Sequence, residues 1–294
     1  MTTAANSQTS PGPALIATGV TKHFGSRKRF AALDDVSVSC EPSQLTGIVG
    51  ESGSGKSTLA RILVGLERAS SGSMSYGDTE VQKLLASNTS RLAFRRDVQF
   101  IGQDTTSSFD PRQTLRESVL KPLVALRGDT PAAARHKASE VFDELGLPDA
   151  LADRYPDQVS GGQRQRFSIA RGLVVRPRFL LCDEVVSALD VSVQGKILNV
   201  IKRYCRDTGA GLVFVSHGLP ATAFVADRIV VMHRGTIVES GATDDILRRP
   251  THPYTRSLLD SYRSLGAATH ADAGPATPAG APSPDRTTSL ETTP

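Results

Sequence analysis

The sequence has few cysteines, no long apolar run and no recognisable signal peptide, and each of these absences argues against one class of protein. It holds three cysteines, Cys40, Cys182 and Cys205, and no C-x-x-C pair, which argues against a disulfide framework or a cysteine metal knuckle. No run approaches the roughly 18 apolar residues that a membrane-spanning helix needs. Residues 1–13 lack the apolar core of a signal peptide. We therefore expect the chain to stay where it is made, with its cysteines reduced.

Composition fits an ordinary α/β protein. The 294 residues are 39% hydrophobic and 22% charged, enough for one large domain or two small ones. The net charge of +4 mildly favours anionic partners, but basic residues are spread along the chain, so no nucleic-acid partner is expected. Residues 1–13 and the Ala/Pro/Thr-rich residues 266–294 lack an apolar pattern, which predicts disorder at both ends.

Short apolar runs alternate with helical patterns between these ends. Strands are predicted at residues 45–49, 98–101, 179–182, 212–215 and 229–232. Helices are predicted at residues 56–66, 191–204 and 219–225. This alternation predicts an α/β fold whose mainly parallel sheet is covered on both faces. A hairpin is predicted around Gly235, and the pair Thr130-Pro131 is predicted to start a helix that ends at Gly146.

A glycine-rich segment between a predicted strand and a predicted helix matches the phosphate-binding pattern GxxxxGK[ST]. It consists of Gly50, Glu51, Ser52, Gly53, Ser54, Gly55, Lys56 and Ser57, followed by Thr58. The glycines let successive backbone N–H groups point at phosphate oxygens, and the helix adds the positive end of its dipole. Lys56 is predicted to reach the β- and γ-phosphates, Ser57 to ligate Mg²⁺ and Thr58 to support the α-phosphate.

Two further segments carry chemistry. The predicted strand at residues 179–182 ends in Asp183 and Glu184, placed to contact Mg²⁺ and to polarise an attacking water. Upstream lies a loop that offers a hydroxyl and exposed N–H groups at the start of a helix; it consists of Ser160, Gly161, Gly162 and Gln163. This is a second anion-binding feature, although one nucleotide needs only one phosphate loop.

The order of these segments resembles the ATP-binding cassette (ABC) ATPases, over about residues 14–262. The resemblance implies a P-loop NTPase fold in residues 14–265: a mainly parallel core sheet, an antiparallel β subdomain and a helical subdomain at about 104–160. ATP and Mg²⁺ are the implied cofactors, with Ser57, Gln103 and Asp183 as metal ligands.

The same resemblance implies a role for each remaining site residue. Glu184 acts on the attacking water, His217 contacts the γ-phosphate, and Gln103 senses the nucleotide. Asp190 belongs to the D-loop. The four residues 160–163 act in trans, capping the ATP held by a second cassette. Phe24 is the candidate for stacking on adenine, with Phe30 as its rival.

Residues 107–112 and 250–259 are similar to segments of ATPases from oligopeptide, dipeptide and nickel importers. The resemblance implies an ATP-hydrolysing subunit on the cytoplasmic face of the cell membrane, most readily for peptides. Its implied partners are two membrane-spanning permease subunits, an identical or paralogous second cassette, and an extracytoplasmic solute-binding protein. Cassettes for nickel or another solute, and soluble ABC ATPases acting on nucleic acid or ribosomes, are the alternatives.

Three residues depart from the family pattern. Val185 stands where proline is usual, Gly218 where aspartate is usual, and Thr105 where proline is common. Because Glu184 and His217 are retained, the site is expected to remain active.

Overall fold

The computed structural model describes residues 12–25, 30–187 and 189–271. The segments predicted to be disordered, 1–13 and 266–294, therefore lie largely outside the described residues. The last helix continues to Ala271, past the predicted domain boundary at 265. Within the described ranges, every helix is too short or too polar to cross a membrane.

Strands and helices alternate along the described chain. The strands are β1 (Leu15–Phe24), β2 (Phe30–Cys40), β3 (Leu45–Val49), β4 (Ser71–Tyr76), β5 (Thr79–Glu80), β6 (Val98–Ile101), β7 (Phe179–Asp183), β8 (Gly211–Val215), β9 (Arg228–His233) and β10 (Thr236–Ala242). The α-helices are α1 (Lys56–Leu63), α2 (Val81–Ala86), α3 (Asn88–Asp97), α4 (Leu115–Pro122), α5 (Pro131–Glu144), α6 (Asp149–Ala152), α7 (Gly161–Leu173), α8 (Val191–Thr208), α9 (Leu219–Val225), α10 (Thr243–Arg248) and α11 (Pro253–Ala271). A π-helical turn (Leu123–Arg127) and a 3₁₀ turn (Pro156–Gln158) complete the set.

A six-stranded sheet in the order β10-β9-β3-β8-β7-β6 forms the centre of the molecule. Strands β9, β3, β8, β7 and β6 are parallel, and β10 pairs antiparallel with β9. Every residue of β3, β7 and β8 is buried, as expected for parallel strands covered on both faces. The predicted strands and the mainly parallel sheet are therefore confirmed. The predicted hairpin is also confirmed, with Arg234 and Gly235 at positive φ between β9 and β10.

A second, antiparallel sheet lies beside the first, in the order β2-β1-β4-β5. Its buried residues, such as Leu15 and Leu33, share one core with Leu59 and Leu63 of α1 and with Ile48 of β3. Helix α1 is thus enclosed between the two sheets, and this fixes the position of the loop that precedes it.

Helices α4 to α6 and the two helical turns fill the stretch between β6 and α7. Thr130 caps α5 by accepting a hydrogen bond from the N–H of Ala133, and Pro131 occupies the first turn, as predicted. The rings of Phe142 on α5 and Phe167 on α7 meet edge to face, with centroids 5.2 Å apart. This contact attaches the helical insert to the helix that follows residue 160.

The C-terminal helix α11 packs against the central sheet. Leu259 shares a small core with Ile229 and Val231 of β9, and with Val49 at the end of β3. The carboxylate of Glu239 on β10 accepts hydrogen bonds from the N–H groups of Thr251 and His252, at 2.7 and 3.1 Å. These contacts hold the start of α11 next to the end of β3.

Candidate nucleotide-binding site

The predicted phosphate-binding, metal-binding and catalytic residues come from the carboxyl ends of four adjacent parallel strands. The phosphate loop follows β3, His217 follows β8, Asp183 and Glu184 end or follow β7, and Gln103 follows β6. Because parallel strands end at the same edge of a sheet, side chains far apart in sequence meet there. The strand order β3-β8-β7-β6 therefore explains why these residues form one site.

Two glycines of the phosphate loop lie where a side chain would not fit. A Cβ on Gly50 would lie 2.1 Å from the carbonyl oxygen of Met232, and one on Gly55 would lie 2.4 Å from that of Ala32. Gly55 also has a φ of +101°, which L-residues with side chains rarely adopt. The loop therefore packs closely between strand β9 of the central sheet and strand β2 of the antiparallel sheet.

The ammonium group of Lys56 is held inside this loop by backbone carbonyls. It donates hydrogen bonds to the carbonyl oxygens of Gly50 at 2.8 Å and Glu51 at 2.7 Å, and the residue is only 5% exposed. Burial lowers the pKa of Lys56, while the charges of Glu184 and Asp183 oppose the shift. A partly desolvated cation at the start of a helix is suited to bind phosphate oxygens.

Ser57 and Asp183 join the phosphate loop to β7. The Ser57 hydroxyl donates a hydrogen bond of 3.0 Å to Oδ1 of Asp183, which is 2% exposed. Burial raises the pKa of the Asp183 carboxyl, and the charge of Glu184 acts in the same direction, against the hydrogen bond from Ser57. The charged form of Asp183 is therefore costly here until a cation arrives.

Glu184 is the residue on which the other predicted catalytic side chains converge. Nε2 of Gln103 donates to its Oε2 at 2.7 Å, and Nδ1 of His217 lies 3.4 Å from its Oε1. Glu184 has a φ of +53°, a conformation that costs on the order of 1–2 kcal/mol for a residue with a side chain. Its N–H donates to Val215 at 2.9 Å and its carbonyl accepts from Ser187 at 2.8 Å, which holds it in that conformation.

A cleft of about 320 Å³ opens above these groups. Its walls are Phe24, Phe30, Ala32, Ser52, Gly53, Gly55, Lys56, Ser57, Thr58, Gln103 and Glu184. The two phenylalanines considered for adenine stacking both line it, with 42% of Phe24 and 61% of Phe30 exposed. The ammonium group of Lys22 lies over the ring of Phe24, 4.8 Å from its centre.

The serine-diglycine loop is not among the walls of this cleft. Ser160 and Gln163 form a reciprocal cap at the start of α7: the Ser160 hydroxyl accepts from the Gln163 N–H, and the Gln163 side chain accepts from the Ser160 N–H. Ser160 and Gly161 are exposed, and Gly162 is partly buried. Asp190, at the start of α8, is also exposed and outside the cleft.

One contact of the phosphate loop was not predicted from the sequence. The N–H of Glu51 donates a 3.0 Å hydrogen bond to the hydroxyl of Tyr254 on α11. The two residues are 203 positions apart, so no local pattern could have indicated the contact.

Comparison with known proteins decides the family. A family model described as "ABC transporter" matches residues 33–187, which include the phosphate loop, the serine-diglycine loop and both acidic residues. The chain belongs to the ABC transporter family. A second model, "Oligopeptide/dipeptide transporter, C-terminal region", matches residues 238–287 of this ABC cassette.

Relatives of the cassette agree with this assignment. The oligopeptide transport ATP-binding protein OppF of Lactococcus lactis subsp. lactis (strain IL1403) is 39% identical over 241 residues, covering 82% of this chain and 75% of that protein. Two solved structures of MJ0796 each have a TM-score of 0.73 and 28% identity, and cover 78% of this chain and 98% of theirs. One is a dimeric bacterial ABC transporter cassette and the other a dimeric post-hydrolysis state bound to ADP and Pi. The predicted fold class is confirmed.

The opposite environments of two aspartates lead to a testable prediction. Asp183→Asn removes a buried carboxylate whose charge is disfavoured, so the unliganded cassette should keep or raise its Tm while ATP hydrolysis is lost. Asp153→Asn is the control, because hydrogen bonds from Arg116 lower the pKa of Asp153. Because the Asp153 side chain is 62% exposed, its ion pair is worth at most about 1 kcal/mol, and that control should lower Tm by at most about 2–4 °C. Thermal unfolding in EDTA measures both, and a clear fall in Tm for Asp183→Asn would contradict the account.

Proposed function

We propose that the chain is the ATP-hydrolysing subunit of an importer for peptides. The observation that carries the hydrolase part is that Lys56, Ser57 and Glu184 line one cleft at the strand ends, with Asp183 hydrogen-bonded to Ser57 behind them. The C-terminal family match and the relative named for oligopeptide transport support peptides as the cargo. They also favour this function over a nickel cassette or a soluble ABC ATPase acting on nucleic acid or ribosomes.

The residues around Asp183 fit a magnesium ion. Mg²⁺ prefers hard oxygen ligands, and the Ser57 hydroxyl and the Asp183 carboxylate lie 3.0 Å apart beside the phosphate loop. Burial raises the pKa of Asp183 even though the hydrogen bond from Ser57 and the charges of Arg61 and Lys56 act against it, so a bound cation would stabilise the charged carboxylate. Because Nε2 of Gln103 donates to Glu184, the amide oxygen of Gln103 would be the atom that serves as a third ligand. When bound, the ion would neutralise charge on the phosphates.

Hydrolysis then needs a water molecule held in line with the γ-phosphate. Glu184 is the group proposed to accept its proton, because its carboxylate faces the cleft and is oriented from both sides by Gln103 and His217. Such general-base assistance is typically worth about 10²–10⁴-fold in rate. The exposed imidazole of His217 is proposed to contact the γ-phosphate, and Lys56 to bind the β- and γ-phosphates. One of Phe24 and Phe30 is proposed to stack on adenine.

A second cassette is proposed to complete the site. Ser160, Gly161, Gly162 and Gln163 present a hydroxyl and a helix N-terminus outside their own cleft, and Asp190 is exposed at the start of another helix. The solved relative MJ0796 is dimeric. We therefore propose that these residues act in trans on ATP bound to an identical or paralogous partner, so that ATP joins the two cassettes and hydrolysis separates them.

A glutamate variant tests this pairing. Glu184→Gln keeps the hydrogen bonds around the site but cannot accept a proton, so ATP should convert the purified chain into a long-lived dimer. In the double variant Glu184→Gln/Ser160→Asp, the aspartate still caps α7 but places a carboxylate against the triphosphate. This variant should remain monomeric. Light scattering with and without ATP measures both. Normal ATP turnover by Glu184→Gln would contradict the proposed role of Glu184. An equally stable dimer from the double variant would contradict the proposed role of Ser160.

We further propose the location of the permease contact. A surface groove of about 450 Å³ lies between the central domain and the helical insert, and its walls include Gln99, Ser108, Lys121 and Ala125. It adjoins the loop that carries Gln103, so a helix seated there could sense the state of Glu184. The proposed partners are two membrane-spanning subunits and a solute-binding protein, which would place the cassette at the cytoplasmic face of the membrane.

The order of strands and helices also supports a proposal for the domain boundaries. Residues 14–265 are proposed as the ATPase domain, with residues 104–160 as its helical subdomain. We propose residues 103–127 as the contact region for the permease: they supply one wall of the groove, while α3 and β6 contribute to the other.

Filling the groove should uncouple transport from ATP binding. Ala125→Arg adds a long charged side chain at an exposed groove position, and Ala132→Arg adds the same side chain on an exposed part of α5. The first variant should lose co-purification with the permease subunits and peptide uptake while still binding ATP. The second should behave like the wild type in both assays. Unimpaired peptide uptake with Ala125→Arg would place the permease contact elsewhere, and loss of ATP binding would show damage to the fold instead.

A further inference from the structure

We propose that Tyr254 is a positioning residue for the phosphate loop, acting from the C-terminal helix through the backbone N–H of Glu51. The hydroxyl oxygen of Tyr254 accepts the hydrogen bond from that N–H at 3.0 Å. Tyr254 is not among the residues that line the cleft, and it contacts the loop through the backbone of Glu51. Its role is therefore to hold the loop in shape.

A single peptide unit connects Tyr254 to Lys56. The carbonyl of Gly50 and the N–H of Glu51 belong to the same planar peptide group and point in opposite directions. The carbonyl accepts a 2.8 Å hydrogen bond from the ammonium group of Lys56, and the N–H donates to Tyr254. The peptide plane is thus held from both sides. Without the hydroxyl of Tyr254, the plane is held only by Lys56, and the carbonyl that orients Lys56 is less firmly fixed.

Contacts with neighbouring residues hold Tyr254 in position. Its ring lies against the ring of His233 on β9, with centroids 3.9 Å apart. Its N–H donates to Nδ1 of His252 at 3.2 Å, and the N–H of His252 donates to Glu239 on β10. Burial would raise the pKa of the Glu239 carboxyl, but the hydrogen bonds from Thr251 and His252 help to lower it to about 2, so the carboxylate stays charged.

A second loop contact arises from the same strands. The hairpin that joins β9 to β10 donates from the N–H of Gly235 to the carbonyl of Ser54 at 3.1 Å. The phosphate loop is therefore supported at Glu51 by α11 and at Ser54 by the hairpin. Tyr254, His233 and Glu239 connect these two supports into one unit next to the nucleotide cleft.

This arrangement gives the C-terminal region a direct effect on nucleotide affinity. Tyr254 and Glu239 lie within residues 238–287, the part that matches the oligopeptide/dipeptide transporter C-terminal region. The inference rests on the ATP-binding role of the phosphate loop. Because the contact orients the phosphate-binding part of the site and does not touch the base-binding side, its loss should weaken every ligand that carries the same phosphates.

The experiment compares full-length Tyr254→Phe with Tyr262→Phe. The first change removes the hydroxyl and keeps the ring against His233. The second is a matched control on the same helix, because the hydroxyl of Tyr262 is hydrogen-bonded to the backbone of Leu219, away from the loop. Calorimetric titration with ATP, ADP and inorganic tripolyphosphate, each with Mg²⁺, gives the affinities, and thermal unfolding without ligand gives the change in stability.

Tyr254→Phe should bind all three ligands roughly 3- to 10-fold more weakly, as expected for loss of one neutral hydrogen bond. Tyr262→Phe should bind them as the wild type does, although both variants should lose a similar, small amount of thermal stability. Wild-type affinity in Tyr254→Phe would overturn the inference, and so would a loss confined to ATP and ADP, since that would locate the effect at the base. Failure of the wild type to bind any nucleotide would reject the ATPase assignment itself.

Discussion

The parallel pairing of β3, β8, β7 and β6 is the constraint on which the rest of the site depends. Since these strands run in the same direction side by side, their carboxyl ends deliver the phosphate loop, His217, Asp183 with Glu184, and Gln103 to one edge. The strands can be parallel because helices and the antiparallel sheet cover both faces, so that every residue of β7 and β8 is buried. The chemistry of the site is therefore a consequence of the layer architecture.

Several groups at this edge are held in conformations or environments that are unfavourable without a ligand. Lys56 is buried on backbone carbonyls with a lowered pKa, Asp183 is buried with a raised pKa, and Glu184 has a positive φ. The proposed triphosphate and metal ion would supply the opposite charge for the first two groups. Backbone strain and unfavourable burial of charge of this kind are common at functional sites. The supports on the protein side are the strand ends, the hairpin at Gly235 and Tyr254 on α11.

Local patterns sufficed to predict much of this from sequence. The phosphate loop, the acidic strand end and the parallel strands each have a short, regular signature. Strands β1 and β2 were not located individually, because their pairing contains several register shifts that break the alternation of buried and exposed residues. The choice between Phe24 and Phe30 stays open, since both line the cleft. The contact of Tyr254 with Glu51 depends on chain segments 203 residues apart, which only the folded chain brings together.

The central claim is that a phosphate loop from one chain and a serine-diglycine loop from another enclose the same ATP. Mixing two inactive variants tests it most directly: Lys56→Ala, which cannot hold ATP, and Ser160→Asp, whose loop repels it. Each alone should hydrolyse ATP poorly, but a mixed dimer has one composite site in which both loops are intact. Mixing should therefore restore ATP hydrolysis well above the level of either variant alone. No restoration, at concentrations where ATP holds the Glu184→Gln chain as a dimer, would contradict it.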